Sequence, residues 1–221
     1  MKKLVFLFLA PAIFCAVPAK AQVLNFDGIA GCLVSVGNYY NGGTAGDGSG
    51  PGPNLGVVFS SSATTIQDFF AGGDAACLSN VGNMPSPPMG LFFLSGSGTM
   101  DVATGFTTGF SFFYSAQSAS AFSISVWSGL DGTGTVLALL PLPTNDNSCI
   151  TTPTFCNWDP IGVTFSGTAE SVVFFGGIAI FDDITLNSST PGTTPEPGTL
   201  VQMGSGLIGL VGALRRKLWK A

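Results

Sequence analysis

From Gln22 to Asn187 apolar residues come in short runs broken by polar ones, and no stretch keeps a helical period. Strands are predicted near Val23–Phe26, Leu55–Ser60, Leu91–Leu94, Thr99–Val102, Phe106–Ser115, Ala121–Trp127, Thr135–Leu140, Gly162–Phe165, Ser171–Phe175 and Ile178–Leu186. Phe106, Phe110, Phe112 and Tyr114 share one parity, as do Phe122, Ile124 and Val126. Such alternation fits sheets with one face in a core and one toward water. Gly, Pro, Asn and Asp punctuate the runs and supply the turns. The expectation is an all-β chain: one domain over 22–187, a two-sheet antiparallel β-sandwich, jelly-roll-like.

The two flanks read differently. Residues 1–21 have a basic start (Lys2, Lys3), an apolar run from Leu4 to Val17 and an Ala19-Lys20-Ala21 cleavage site, which predicts a secretory signal peptide. At the other end Ser188–Thr194 is a polar Ser/Thr/Pro/Gly linker, expected to hold the body off the membrane. Pro195-Glu196-Pro197 follows, then an uncharged run over 198–214 and a basic tail with Arg215, Arg216, Lys217 and Lys220. As a helix that run spans about 26 Å, slightly short of a ~30 Å hydrocarbon core, and snorkelling Arg and Lys with an interfacial Trp219 cover the difference. Arg215, Arg216 and Lys217 orient the segment with its C-terminus in the cytoplasm.

Pro-Glu-Pro, a Gly-rich apolar helix and an Arg-rich tail, paired with a signal peptide, resemble the PEP-CTERM sorting signal of Gram-negative bacteria. The resemblance covers residues 195–221. It implies export by the Sec machinery, an inner-membrane precursor, processing near Pro195-Glu196-Pro197 by an exosortase, and a mature form in the cell envelope or extracellular matrix. Ectodomains of this kind imply a location more than an activity.

Charge narrows the chemistry. All seven Lys and Arg lie in the first 20 or last 7 residues, and the chain has no His. From Gln22 to Thr194 there are eleven acids and no basic side chain. This excludes Ser-His-Asp and Cys-His catalysis, a Schiff-base lysine and an arginine grip on phosphate. A polyanionic body also excludes nucleic acid as a partner. It leaves oxygen-ligated hard cations, sugar stacking and solvated surfaces. Two carboxylates suffice for glycoside hydrolysis, but no spacing selects a pair, and the body's one Glu, Glu170, sits in a predicted turn.

Four cysteines remain in the body: Cys32, Cys77, Cys149 and Cys156. An even count in an exported chain favours disulfides, and the preferred pairing is Cys149–Cys156 with Cys32–Cys77. A four-cysteine zinc site is the alternative, without the CxxC spacing that would support it.

Three features are candidate sites. In Phe181-Asp182-Asp183-Ile184, Asp182 has the parity of the apolar Ile178, Ile180, Ile184 and Leu186. An inward carboxylate with no basic partner needs backbone donors, a raised pKa, a bulge that turns it outward, or a cation. A structural Ca²⁺ on Asp182, Asp183 and Asp27 is one expectation. The loop Gly37–Asn54 offers Tyr39 and Tyr40 for stacking on a sugar. Trp127, beside the Asp131-Gly132 turn, and Trp158 are a second aromatic platform.

The leading expectation is a non-enzymatic exported surface or matrix protein. The alternative is a carbohydrate-binding module for exopolysaccharide, and a glycan-active hydrolase stands third.

Overall fold

A computed structural model describes residues 21–71, 80–93, 97–117, 122–145, 154–175 and 179–192. Of the signal peptide expected over 1–21 only Ala21 is described, the sorting signal expected over 195–221 lies outside the described residues, and among those described no helix is long and apolar enough to cross a membrane.

Among the described residues eleven strands form two antiparallel sheets. They are β1 (Gln22–Leu24), β2 (Val57–Phe59), β3 (Ala63–Gln67), β4 (Met89–Phe93), β5 (Ser97–Phe106), β6 (Gly109–Ala116), β7 (Phe122–Trp127), β8 (Val136–Leu142), β9 (Asp159–Thr164), β10 (Ala169–Phe175) and β11 (Ala179–Leu186). One sheet runs β3-β4-β11-β6-β9, with β1 beside β11, and the other runs β2-β5-β10-β7-β8. From β4 onward consecutive strands mostly cross between the sheets, and the orders β4-β11-β6-β9 and β5-β10-β7-β8 are those of a jelly roll. The ten predicted strands all have counterparts, while β3, with its polar sequence ATTIQ, lay outside the expectation.

The core follows from alternation. Phe110, Phe112 and Tyr114 of β6 point inward with Leu91 and Phe93 of β4, and meet Val172 and Phe174 of β10 and Ile124 and Val126 of β7. Aromatic rings bridge the layers: Phe174 lies 4.7 Å from Phe93 and 5.1 Å from Phe181. Offset and edge contacts of this kind add to the burial of large apolar areas.

Strand β11, central in its sheet, is buried along its whole length because both of its faces are covered. Ala179 and Phe181 face the main core, Ile180 faces outward, and then the register shifts between Asp182 and Thr185. This bulge, with Asp183 at φ 48°, reverses the parity, so Ile184 and Leu186 face the main core again. Over the outer face, Val81, Met84 and Phe155 cover Ile180 in a second small core, edged by Ile66, Phe92 and Trp158.

The predicted linker is in large part docked structure. Ser111 Oγ donates to Ser188 O (2.9 Å), and the Gly192 N–H donates to Thr185 Oγ (3.0 Å). A Cβ on Gly162 would sit 2.1 Å from Ser189 O, and one on Gly109 2.6 Å from Ser189 N, so the tail lies flat on β6 and β9 where only glycine lets it approach. Residues 193 and 194 lie outside the described region.

Cys32 and Cys156 are each disulfide-bonded. Cys77 and Cys149, the partners expected for them, lie outside the described residues.

Candidate functional site

The acidic cluster answers the question of how an unpaired Asp182 is kept. The bulge turns it away from the main core, but the segment around Ser86 covers it, and it is fully buried. Its Oδ2 accepts the Ser86 N–H (2.8 Å), and its Oδ1 accepts the Asp183 N–H (2.7 Å) and the Ser86 hydroxyl (3.1 Å). The same hydroxyl stands 3.0 Å from Asp183 Oδ1, so one proton serves two carboxyl groups. Burial first, then the Asp183 charge, pushes Asp182 well above the usual carboxylate range, against the pull of these donors. Burial, with Asp27 nearby, raises Asp183 to about 6. Asp27 Oδ1 accepts the Met89 N–H (3.1 Å).

Asp182, Asp183 and Asp27 are neighbours, but they do not fit a Ca²⁺ cage. Both Asp182 oxygens already face N–H and O–H donors, whose positive ends repel a cation. Among the described residues no three carboxylate, thiolate or imidazole groups gather around one point. Asp183 Oδ2 alone in this cluster is buried without a hydrogen-bond partner.

The tyrosine expectation is corrected. Tyr39 and Tyr40 are buried, packed edge to face at 5.2 Å in the main core, and the Tyr40 hydroxyl accepts the Phe26 N–H (2.7 Å). Burial raises the pKa of both. The Gly37–Asn54 loop folds around them because Asp47 ties it down. The Asp47 carboxylate accepts the N–H groups of Gly31 and Ser49 (both 2.8 Å) and the Ser49 hydroxyl (2.8 Å). Some desolvation works against these bonds, yet they hold Asp47 below its ordinary pKa.

The two tryptophans stand on opposite outer faces and form no joint platform. Trp158 edges the small second core, and its Nε1 donates to Gly82 O (2.9 Å). Trp127 lies on the outer face of the β2-β5-β10-β7-β8 sheet, where its Nε1 donates to Ser125 Oγ (2.8 Å).

That outer face is open and can be read row by row. Trp127, Ser171, Asp101 and Val58 stand side by side across four strands. The connection between β7 and β8, 128–135, folds back over this row. The Gly132 N–H donates to Ser171 Oγ (3.0 Å), the Ser171 hydroxyl to Gly129 O (2.5 Å), and the Asp131 N–H to Asp101 Oδ1 (2.8 Å). Asp131 and Gly132 take positive φ of 54° and 68°, as the turn requires, and a Cβ on Gly132 would sit 2.5 Å from Val173 Cγ2. Burial and the neighbouring Asp131 raise the pKa of Asp101.

Beyond this wall the next row is Leu139, Ser125, Val173 and Thr99, and the third is Pro141, Ser123, Phe175 and Ser97. These eight residues carry no charge and alternate apolar and hydroxyl side chains. Leu139 and Phe175 are each 65 % exposed. Phe175 was missed because it adjoins Phe174 in a run of apolar residues, Val172–Phe175, whose parity shows no polar partner to mark the outward side.

No protein-family model and no curated protein matches the chain. Among solved structures, a family 6 carbohydrate-binding module is similar at 19 % identity and a TM-score of 0.35, over 57 % of this chain and 82 % of that one. A carbohydrate-binding module of Cellvibrio mixtus lichenase 5A, in complex with cellotriose, gives 12 %, 0.36, 58 % and 88 %. A module from Clostridium stercorarium with cellobiose gives 16 %, 0.34, 47 % and 76 %. Identities and TM-scores at this level assign neither a ligand nor a site.

Proposed function

We propose that the chain is a non-catalytic exported protein that holds an uncharged polysaccharide on the open face of its β2-β5-β10-β7-β8 sheet. The observation that carries this is the pair of uncharged rows beside Trp127. Sugar rings present apolar C–H faces and hydroxyl edges, and a surface that alternates Leu139, Val173 and Phe175 with Ser123, Ser125 and Thr99 matches both. Trp127 pairs with Ser171, and Phe175 lies four residues further along β10, so the two aromatic positions are about 13 Å apart along the strand. That length suits an extended oligosaccharide rather than one ring. A body with eleven acids and no base selects against acidic polysaccharides, which it repels.

The sorting signal supports the location. Export, anchoring through residues 198–214 and processing near Pro195-Glu196-Pro197 would place this face in the envelope or the surrounding matrix. Mass spectrometry of the mature C-terminus tests that part, and an intact Trp219-Lys220-Ala221 end refutes processing.

Affinity electrophoresis tests the binding. Migration is expected to slow in gels containing neutral β-glucan and not in gels containing alginate. Phe175→Ala and Trp127→Ala should abolish the retardation, and Trp158→Ala should leave it intact. Equal retardation of all variants overturns the assignment. So does concentration-dependent self-association without glycan binding, which would make the face a contact between copies.

A further inference from the structure

Phe69 and Phe70 are 55 % and 62 % exposed, yet they are firmly held. They open a single 3₁₀ turn, Phe69–Ala71, after the edge strand β3, and their rings meet edge to face at 5.4 Å. The buried Asp68 carboxylate accepts the N–H groups of Phe70 (2.7 Å) and Met84 (2.8 Å). The Phe69 N–H donates to Val81 O (2.7 Å) and the Asp68 N–H to Pro88 O (2.8 Å). Four hydrogen bonds thus fix a two-ring apolar knob in the exposed position, on the side of the molecule where Val81 and Met84 cover the β3-β4-β11-β6-β9 sheet.

The course of the tail says what meets this knob. Gln67 pairs with Met89, and β4 pairs antiparallel with β11, Phe92 opposite Ile180 and Leu91 opposite Phe181, so Met89 lies beyond Phe181 in the direction of Leu186. Asp68 continues that ladder by one bond, so the knob stands toward the Leu186 end of β11. At that end the tail is tied to the same sheet, Ser188 to Ser111 and Gly192 to Thr185. Only Thr193 to Pro197 separate Gly192 from the uncharged run that begins at Gly198, a reach of about 17 Å when fully extended.

We infer that in the anchored form the Phe69–Phe70 knob rests in the lipid interface beside the C-terminal span and sets the tilt of the sandwich. This rests on reading 198–214 as a membrane span. Aromatic and aliphatic side chains settle at the boundary between headgroups and acyl chains. The body has no Lys or Arg to attract anionic lipid and carries eleven acids that such lipid repels, so the contact is apolar and does not weaken as salt rises. Two rings bind weakly alone, but a short tether keeps them at an effective concentration in the millimolar range. Cleavage near Pro195-Glu196-Pro197 removes the tether, and the knob then leaves the lipid with the body.

The test uses the full-length chain in vesicles of phosphatidylethanolamine and phosphatidylglycerol, with photoreactive p-benzoyl-phenylalanine in place of Phe70 or, as the control on the opposite sheet, of Leu139. Irradiation is expected to give several-fold more lipid adduct at position 70 than at 139, with no loss of that excess at high salt. Equal adducts at both positions, or none at 70 in a chain that resists carbonate extraction, overturn the inference and leave the span intact. A chain that carbonate extracts refutes the span, and the inference falls with it.

Discussion

The two outer faces of this sandwich are built from strands of similar length and alternation, yet one is covered and the other is open. On the β3-β4-β11-β6-β9 side, Val81, Met84 and Phe155 seal Ile180, Ser86 seals two carboxyl groups, and residues 188–192 lie across β6 and β9. On the β2-β5-β10-β7-β8 side one loop covers one row and leaves two rows to solvent. The difference lies in what the connections carry. Segments with several apolar residues add a layer, whereas the polar WSGLDGTGT connection folds back only as far as its own hydrogen bonds take it. A covered face contributes stability, and an open apolar one is free to bind.

Truncations separate the two faces most sharply. Ile180→Ala should cost about 2–5 kcal/mol, because it empties the small core under its cover. Phe175→Ala or Leu139→Ala, though as large or larger in volume, should change stability by less than about 0.5 kcal/mol. Urea denaturation measures both, and similar losses on the two faces would remove the distinction.

Next in size is Ser86→Ala, which leaves Asp182 and Asp183 short of a donor and should cost about 1–3 kcal/mol. The same cluster makes a pH prediction. Asp182 and Asp183 hold their protons more tightly when folded than when unfolded, so the folded state takes up protons first as pH falls. Tm should therefore rise as pH falls from about 7 through about 6, and level off toward the unfolded carboxylate value of ~3.9. Asp183→Asn should flatten that slope, and an unchanged slope would show that the body's overall negative charge causes it.

The smallest expected effect concerns the tail. Gly162→Ala drives a methyl into Ser189 O and should release residues 188–192 with little loss of global stability. Hydrogen exchange in that segment should quicken while the strand amides stay protected. Protection retained in 188–192 would mean that the contact with Gly162 does not hold the tail.

The main strands were legible because Phe110, Phe112, Tyr114, Ile124 and Val126 alternate cleanly. Strand β3 was not, since the alternation of ATTIQ is masked by buried threonines whose hydroxyls donate to carbonyls far away in sequence, Thr65 to Gly31 O and Thr64 to Phe92 O. The inward parity given to Asp182 failed for a different reason. A bulge shifts the period by one, and nothing in FDDI announces it beyond two adjacent acids with no base to pair. The burial of Tyr39 and Tyr40 hinges on Asp47, a long-range tether that a Gly-rich loop sequence does not reveal. Trp127 was picked out in the sequence, whereas its partner in the open face, Phe175, needed strand pairing to be seen.

The docked tail also has a mechanical meaning. Residues 188–192 are the continuation of β11, the central strand of its sheet. A pull transmitted from residue 193 meets the Gly192–Thr185 bond first and the Ser188–Ser111 bond next, before any ladder bond of β11 takes load. The strap therefore peels one contact at a time and pays out length while the sandwich stays folded. The open face on the far side shares none of these contacts, so a pull on the tail loads the strip before it reaches that sheet.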